Sequence, residues 1–586
     1  MYNQNIGKVV SVDNATATLE ALVDLQMLDN LVEKFIIFAS DKKIVGRILA
    51  TDFQNIKVEF VGSFEQDRFS SGLTEKPKLG EEARLADSSE VYKVLLGMNL
   101  NSERGFILGK MPLYDNIPVH VSLNRFFSNH FAIFGNSGSG KSWGVARIFQ
   151  NLFQDPEGIP RNSSIFIFDA YGEYEDAFVY PNSEFNFKRY MTDVNQQNNN
   201  LVKIPFWLLG IDDIALLLNA EDPTQLPIIE KSLRLAQVFA KDKDEAIIHK
   251  NNIIAKSILE ILYSGKNASQ LRDQIVAMLT QFNTETLNLD TKIVQLGYTR
   301  ELRKCLVIDK DGKMQDIQLV TDFFNSYVKD DLTLEMPVGK IKYTLKNFQE
   351  AFAFALLSEG ILKSDKVYDK ANIMKVRLDS LINSEYAKYF DVEEYISKLD
   401  FIKSLLLDEN GHRAQIININ LNYVDDRFAK VLCKIYAKFL FDFETALKRR
   451  GSIPIHILLE EAHRYVQNDS DTYVLGYNIF DRIAKEGRKY GLILGMISQR
   501  PSELSETAIS QCSNFLIFKM LHPKDVDYIK NSVPEVSLEV IEKLKSLQPG
   551  SCIAFGGAFN FPLITKLDPP NPIPKSSNVN IKETWY

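Results

Sequence analysis

The strongest chemical signal in the sequence is FGNSGSGKSW, residues 134–143. Its spacing, Gly135-x-x-x-x-Gly140-Lys141-Ser142, is that of a loop that binds phosphate. Lys141 is expected to reach the β- and γ-phosphates and Ser142 to bind Mg²⁺. The predicted ligands are therefore ATP and Mg²⁺. The residues expected to surround the phosphates are Gly135, Asn136, Ser137, Gly138, Ser139, Gly140, Lys141, Ser142 and Trp143.

The residues on either side favour this interpretation over a glycine- and serine-rich turn that matches by accident. FAIF at 131–134 is typical of a buried strand, and GVARIFQNLF at 144–153 places apolar residues at helical spacing. Small residues between them let backbone N–H groups turn toward phosphate oxygens, and the following helix presents its positive end to the same anion.

Two adjacent carboxylates in ILLEEAH, residues 457–463, are the predicted second half of the site. We assign Glu460 to holding Mg²⁺ together with Ser142, and Glu461 to polarising the water that attacks the γ-phosphate. The alternative is an exposed pair of glutamates that starts a helix. The apolar strand before them disfavours that alternative, because such a strand is buried in a parallel sheet.

Gln499, in SQRPSEL at 498–504, is predicted to orient that water or to sense the γ-phosphate. An arginine that reaches a neighbouring subunit's γ-phosphate would make hydrolysis depend on assembly. Arg488 is the first choice for this role, with Arg482 and Arg500 as alternatives. A surface or ion-paired arginine is the competing interpretation for each of them.

Asp169 and Glu173 follow the apolar run SIFIF. Ligands of open α/β sheets bind beyond the carboxyl ends of the strands. Both residues are therefore predicted to lie near the nucleotide or the molecule being moved. The alternative for Asp169 is a turn cap without chemistry.

The apolar patterns divide the chain into five predicted segments. Short β-rich runs predict a small N-terminal β-barrel, for assembly or docking, over residues 1–95. An α/β core covers 96–207 with the phosphate loop and 406–566 with the two carboxylates. Residues 208–405 between them are predicted to be a mainly helical insertion. Residues 567–586 are predicted to be an extended tail rich in proline and serine.

Some features inside these segments carry their own expectations. A strand or two is predicted between Gln295 and Val338, within the helical insertion. His249 is predicted to lie on a helix surface. Trp585 and Tyr586, at the end of the tail, could anchor it on a neighbouring subunit, or they could simply be two aromatic residues in a loose end.

Composition sets broad limits on the class of protein. A chain of 586 residues is long enough for about two to four domains. The net charge of −8 argues against a surface coated in basic charge, but it does not exclude nucleic acid in a locally basic channel. No secretion signal or membrane-spanning run is recognisable, so a soluble cytoplasmic protein is predicted. The cysteines are predicted to be small buried apolar residues: Cys305, Cys433, Cys512 and Cys552.

Taken together, the motifs resemble the HerA branch of the HerA/FtsK ATPases over nearly the whole chain. The strings that carry the resemblance are NHFAIFGNSGSGKS, FDAYGEY, VKIPFWLL, ILLEEAH, EGRKYG, SQRPSEL and LQPGSCIAFGGA. The resemblance implies a RecA-like P-loop ATPase core with an N-terminal small β-barrel, a helical insertion and a C-terminal tail. One departure is Asn129 before His130, where archaeal relatives are expected to carry a basic residue.

The resemblance also implies a function. The expected protein is a hexameric ring that moves double-stranded DNA through a central pore by ATP hydrolysis. It is expected to work with a partner nuclease or a sirtuin-like NAD-consuming protein in antiphage defence. Short basic patches are candidate pore residues: Lys188, Arg189, Arg272 and Lys448 to Arg450. The alternative function is an ATP-gated ring scaffold that activates a partner enzyme with little DNA movement. A conjugative coupling ATPase is disfavoured, because no membrane segment precedes the core.

Overall fold

The structure is a computed structural model, and it describes most of the chain in two compact units. The described residues are 4–28, 30–39, 42–66, 68–73, 75–96, 104–153, 159–179, 185–195, 200–332, 339–360, 365–408, 410–532, 538–576 and 581–585. One unit comprises residues 1–192, 405–468 and 479–586, and the other comprises residues 193–404 and 469–478. The finer division into five segments stays a prediction.

The strands are numbered in chain order. They are β1 (Asn5–Val12), β2 (Thr16–Ala21), β3 (Phe35–Phe38), β4 (Ile44–Thr51), β5 (Asn55–Glu65), β6 (Arg68–Ser71), β7 (Glu82–Leu85), β8 (Gly105–Met111), β9 (Ile117–Ser122), β10 (Phe131–Phe134), β11 (Ser164–Asp169), β12 (Phe187–Met191), β13 (Lys292–Gln295), β14 (Tyr298–Glu301), β15 (Ile416–Asn420), β16 (Ile455–Leu459), β17 (Leu492–Ser498), β18 (Asn514–Phe518), β19 (Ser551–Gly556) and β20 (Leu563–Lys566).

The α-helices are also numbered in chain order. They are α1 (Ser88–Leu96), α2 (Leu123–Phe127), α3 (Lys141–Phe153), α4 (Ile211–Leu217), α5 (Leu226–Lys241), α6 (Lys243–Leu262), α7 (Ala268–Gln281), α8 (Leu302–Cys305), α9 (Ile317–Asn325), α10 (Leu345–Gly360), α11 (Asp365–Asn383), α12 (Lys398–Leu406), α13 (Asp426–Ala446), α14 (Asp471–Leu475), α15 (Ile479–Glu486), α16 (Glu506–Ser510), α17 (Pro523–Ser532), α18 (Leu538–Leu544) and α19 (Ile581–Trp585).

The N-terminal strands close into a small antiparallel barrel. The hydrogen-bonded order is β2-β1-β7-β3-β4-β5, and a further pairing of β5 with β2 completes the ring, while β6 extends β5. Closure leaves the six strands of the ring without free edges. The interior is apolar, with Leu19, Ile36, Ile48, Ile56 and Val58 fully buried. The predicted barrel is thereby confirmed.

The core is an eleven-stranded sheet that is parallel over most of its width. Its order is β12-β15-β11-β16-β17-β10-β18-β19-β20-β8-β9. Neighbouring strands from β12 to β18 run parallel, and the remainder is antiparallel. The strands β10, β11, β16, β17 and β18 are buried at every residue, because helices cover both faces of such a sheet. This is the predicted RecA-like α/β core.

The strand order decides where polar groups can meet. The phosphate-loop strand β10 lies between β17 and β18, and β16 lies between β11 and β17. Because these strands are parallel, their carboxyl ends share one edge of the sheet. We call it the carboxyl edge, and the opposite one the amino edge. Residues that follow β10, β11, β16 and β17 are thus brought together from distant parts of the sequence.

The second unit is mainly helical, as predicted. It contains α4 to α11, most of α12, and α14, together with an antiparallel hairpin of β13 and β14. The hairpin overlaps the region where a strand or two was predicted. The prediction that His249 lies on a helix surface is wrong, because its side chain is buried. Helix α6, which carries it, packs against α5, α7, α9 and α10, so more than one of its faces is covered.

Smaller expectations can also be compared with the structure. All four cysteines are buried as free thiols, as predicted. Trp585 is exposed, whereas Tyr586 lies outside the described residues. None of the helices in the described part of the chain is both long and apolar enough to cross a bilayer.

A buried carboxyl group near the end of α13 makes the stability of the core sensitive to pH. Glu444 is 0% exposed, and neither of its carboxylate oxygens has a hydrogen-bond partner among the described residues. Burial raises the pKa of Glu444 to about 8, although the nearby Arg413 guanidinium opposes the shift. The folded protein therefore holds this carboxyl group neutral at pH 7.

We expect this group to lower stability as the pH rises. An unfolded chain loses the proton near pH 4.3, about the ordinary value for glutamate, whereas the folded chain keeps it until about pH 8. The contribution of the protonated Glu444 carboxyl group to the free energy of unfolding is fully present below the pKa of this group in the unfolded chain. It is lost as the pH rises through the pKa of the group in the folded chain. Glu444→Gln should therefore raise the melting temperature at about pH 7.5 by roughly 2 °C or more. It should change the melting temperature little near pH 4.5, and equal shifts at both pH values would contradict the assignment.

Candidate nucleotide site

The phosphate loop has the backbone shape that its glycines predict. Gly138 and Gly140 have φ of +73° and +88°, a left-handed region that favours glycine. A Cβ atom on Gly140 would lie 2.5 Å from the backbone nitrogen of Gly550. Gly550 in turn donates a backbone hydrogen bond to the Ser139 carbonyl at 2.9 Å. The loop is therefore fixed against the segment that precedes β19.

This loop fits a polyphosphate group. Helix α3 begins at Lys141, so its first N–H groups have no acceptor within the helix and point out of its N-terminus. The Ser139 hydroxyl is buried and has no hydrogen-bond partner among the described residues. Phosphate oxygens would accept hydrogen bonds from both kinds of donor.

The two predicted halves of the site meet at a buried ion pair. The ammonium of Lys141 lies 3.2 Å from Oε1 of Glu461, and both side chains are at most 5% exposed. The same Oε1 accepts a hydrogen bond of 2.6 Å from the side-chain amide of Gln499. Lys141 at the start of α3, Glu461 after β16 and Gln499 after β17 were predicted from separate motifs. Glu461 is in direct contact with both of the other two residues. Their catalytic roles stay a prediction.

The backbone at Glu461 is strained. This residue has φ +49° and ψ +47°, the left-handed conformation that costs a residue with a Cβ about 1 kcal/mol or more. Strain of this kind persists where the surrounding structure fixes it, often at functional sites. Here it turns the chain sharply after β16, and the side chain of Glu461 faces Lys141 instead of continuing the strand.

His463 is a residue of this site for which the sequence analysis predicted no role. Its Nδ1 lies 3.3 Å from Oε2 of Glu461 and 3.1 Å from the Ser498 hydroxyl. Burial lowers the pKa of His463, although the Glu461 carboxylate opposes that shift. Its place in ILLEEAH was a signal in the sequence, but nothing in the local pattern shows that the end of β17 lies beside it.

Glu460 faces a different group from Glu461. Its Oε2 accepts a hydrogen bond from the backbone N–H of Ala170 at 3.1 Å. Asp169 is adjacent and accepts bonds from the backbone N–H groups of Glu173 and Tyr174, each at 2.9 Å. Burial raises the pKa of both Asp169 and Glu460, and repulsion between the two raises that of Glu460 further. The two carboxyl groups therefore favour holding a proton between them.

The chemistry of the neighbouring side chains suits a Mg²⁺ ion. Ser142 lies beside Glu173, and burial raises the pKa of Glu173 while the Ser142 hydroxyl and the Lys141 ammonium oppose that rise. Oε2 of Glu173 is buried and has no hydrogen-bond partner within the described part of the chain. Over the described ranges, no cluster of three or more His, Cys, Asp or Glu side chains could hold a metal ion. Mg²⁺ usually binds through one or two carboxylates together with water and substrate phosphates.

Arg488, in contrast, is far from the Lys141–Glu461 pair of its own chain. It donates a hydrogen bond of 2.9 Å to Oδ1 of Asn129, which precedes β10, and it precedes β17. Both positions are at the amino edge of the sheet. The seven residues of β17 place it about 20 Å from the carboxyl edge. Arg488 therefore cannot contact a nucleotide held by Lys141 of its own chain, and its role as an arginine finger stays a prediction.

The alternative arginines are in ordinary surface contacts. Arg482 lies 3.7 Å from Glu486 and stacks over Phe441. Arg500 lies 3.1 Å from Glu503 and is 62% exposed. Of these two, only Arg500 is at the carboxyl edge, next to Gln499.

The basic residues suggested for the pore lie in or next to three different elements: β12, α7 and α13. Lys188 and Arg189 are in β12, where they contact the Leu407 carbonyl and Asp176 respectively. Arg272 is in α7 and pairs with Asp273. Residues 448–450 follow α13, and Arg450 stacks over Tyr490. Their role in binding DNA stays a prediction.

The chain is similar to several known proteins. The chain is 24% identical over 490 residues to the DNA double-strand break repair helicase HerA of Pyrococcus furiosus, covering 81% of this chain and 72% of that protein. It is 25% identical over 512 residues to the protein of the same name from Sulfurisphaera tokodaii, covering 87% and 77%. The solved structure of VirB4 from Thermoanaerobacter pseudethanolicus aligns with a TM-score of 0.43 and 13% identity, covering 80% of this chain and 98% of VirB4. Residues 106–439 match the family described as "Helicase HerA, central domain", and the chain belongs to the HerA helicase family.

Proposed function

We propose that this protein hydrolyses ATP and uses the energy to move double-stranded DNA through a hexameric ring. The observation that carries the proposal is the contact of Lys141 with Glu461 and of Glu461 with Gln499. ATP hydrolysis of this kind requires a lysine that binds the β- and γ-phosphates, a carboxylate that activates the attacking water and a glutamine beside that carboxylate. Membership of the HerA family supports DNA as the molecule that is moved.

Each side chain has a defined part in the proposed reaction. Lys141 leaves Glu461 and binds the β- and γ-phosphates as the nucleotide enters. Glu461, released from the ammonium, accepts a proton from the water that attacks the γ-phosphate, and Gln499 orients that water. Ser142, Glu173 and Glu460 are the residues that would hold Mg²⁺, which neutralises charge on the phosphates.

A ring is proposed because Arg488 is too far from the nucleotide site of its own chain to contact the γ-phosphate there. Arg488 lies at the amino edge, whereas the Lys141–Glu461 pair lies at the carboxyl edge. A neighbouring subunit in a ring could bring its amino edge to this site. Hydrolysis would then depend on assembly. The hexameric state follows the family resemblance, as do a partner nuclease or NAD-consuming effector and a role in antiphage defence.

A ring scaffold that activates a partner enzyme is the second candidate function. It is favoured by the surroundings of two candidate pore arginines, because Arg189 and Arg272 have acidic partners. DNA binding gains its affinity mainly from lysines and arginines that are available to phosphates. A scaffold would hydrolyse ATP without needing such residues.

Removing either half of the site should abolish turnover in distinct ways. Lys141→Ala should lose both ATP binding and hydrolysis. Glu461→Gln should keep ATP bound while hydrolysis falls at least about 100-fold, the usual contribution of a general base. Binding is measured by calorimetry and turnover by phosphate release. Glu506→Gln, at an exposed position in α16, is the matched control. Turnover at the wild-type rate in Glu461→Gln would remove that residue from the reaction.

Mixed rings should reveal an arginine that acts between subunits. Arg488→Ala and Glu461→Gln are each expected to be inactive alone. Their mixture should recover part of the hydrolysis, because some interfaces combine an intact Arg488 with an intact Glu461. Isotope-labelled wild-type protein mixed with unlabelled Glu461→Gln, followed by native mass spectrometry, verifies that subunits exchange. Arg488 donates to Asn129 at 2.9 Å and to the Ser513 hydroxyl at 3.5 Å. Asn129→Ala removes the closer of these two acceptors, so an equal loss of hydrolysis in that variant would indicate a structural role only.

The two candidate functions differ in what stimulates ATP hydrolysis. Phosphate release is measured with and without linear duplex DNA, and with and without any protein found to co-purify with this chain. A motor should be stimulated several-fold by DNA alone, at low salt, with the effect falling as salt rises. Stimulation by the partner alone, with no response to DNA, would overturn the motor in favour of the scaffold.

A further inference from the structure

The chain after β20 crosses the helix that begins at the phosphate loop. We call residues 571–576 the strap. The side-chain amide of Gln150 in α3 donates to the Pro572 carbonyl at 2.8 Å, and its oxygen accepts from the backbone N–H of Asn571 at 2.8 Å. Further on, the indole N–H of Trp143 donates to the Ser576 hydroxyl at 3.0 Å. The strap therefore follows α3 from its third turn back to its first.

The strap is also joined to the loop after β11. The backbone N–H of Lys575 donates to the Glu173 carbonyl at 2.7 Å. The ammonium of Lys575 lies 3.1 Å from Glu175 and 2.8 Å from Asp176. Gln150 is 1% exposed and contacts both the strap and the loop after β11, because its side-chain amide also donates a hydrogen bond to the Ala177 carbonyl at 2.9 Å. Residues of the strap and the 173–177 loop thus frame the first turn of α3 beside Trp143.

The orientation of the phosphates fixes the side on which the nucleoside must lie. Lys141 points to Glu461 at 3.2 Å, so the γ-phosphate end of the nucleotide is on the Glu461 side. The α-phosphate of a bound nucleotide would lie at the N–H groups of the loop and the first turn of α3, which include that of Trp143. Its ribose and base would continue beyond that point, away from Glu461. Trp143, in the first turn of α3, carries a large side chain that is 41% exposed.

We propose that Trp143 and the strap form the nucleoside side of the site, with the indole as the stacking surface for a purine base. The proposal rests on the proposed binding of ATP. Aromatic side chains stack on bases with favourable energy and little regard to base identity. The Ser576 hydroxyl holds the indole in its orientation, and Gln150 holds the strap on α3. Trp143 contacts the base, and Gln150 and Ser576 are positioning residues.

A comparison of two ligands tests this arrangement. ADP carries phosphates and a nucleoside, whereas inorganic tripolyphosphate carries phosphates alone. Dissociation constants of both, with Mg²⁺, are measured by calorimetry on the full-length protein. Trp143→Ala should weaken ADP by about 10- to 100-fold, the size of a lost base stack, and leave tripolyphosphate within about twofold. Trp143→Phe, which keeps an aromatic ring, should recover most of the loss.

The positioning residues are tested in the same way. Gln150→Leu removes the hydrogen bonds to the strap, and Asn151→Leu, the next residue along α3, removes only a bond to the Ile107 carbonyl. Gln150→Leu and Ser576→Ala should weaken ADP binding by about threefold or more, and Asn151→Leu should not. Tripolyphosphate should bind all three variants as it binds the wild-type protein.

Each outcome has a distinct meaning. Equal weakening of ADP and tripolyphosphate in Trp143→Ala would show that this residue supports only the phosphate loop, and unchanged ADP binding would show that the base lies elsewhere. Either result overturns the proposal. If the wild-type protein binds neither ligand, the proposed ATP site itself fails. GTP bound about as tightly as ATP is the expected result for a site that stacks the base.

Discussion

The structure depends on one buried contact, between the ammonium of Lys141 and the carboxylate of Glu461. These residues are 320 positions apart in the chain, and each charge would be costly to bury alone. Their meeting requires β10, β17 and β16 to lie in that order with their carboxyl ends at one edge. An anionic phosphate that enters this site competes with Glu461 for the same ammonium. Nucleotide binding and the freeing of the catalytic carboxylate are therefore one event in the proposed mechanism.

Much of this site could be predicted from the sequence, because its parts are local patterns. The phosphate loop, the apolar strands and the carboxylates that follow them are each visible within about ten residues. Because the strands of the core are parallel, the phosphate loop and the carboxylates that follow the strands lie at the same carboxyl edge, and no further sequence pattern is needed to predict this. The same logic predicted the barrel and the helical insertion. It failed for His249, since apolar spacing along α6 does not reveal that several helices cover it.

Other features had no local signal. The left-handed backbone of Glu461 is imposed by the turn after β16. A glutamate in the sequence does not predict such a conformation, because residues with a Cβ rarely adopt it. The sequence places Glu460 and Glu461 side by side, yet one faces Asp169 and the other faces Lys141. Their electrostatic surroundings therefore differ sharply. The strap was predicted only as an extended tail, because contacts with Gln150 and Trp143 depend on tertiary structure alone.

The insertion between β12 and β15 has a consequence for how the chain folds during synthesis. Neither neighbour of β10 precedes residue 491, and neither neighbour of β11 precedes residue 415. The ribosome thus releases two strands that are fully buried in the folded protein, β10 and β11, before their partner strands have been synthesised. At about 5–20 residues per second, the wait from β11 to β15 lasts roughly 10–50 s. During that interval the nascent first half of the sheet exposes strand edges to other chains, which is a strong reason for chaperone engagement.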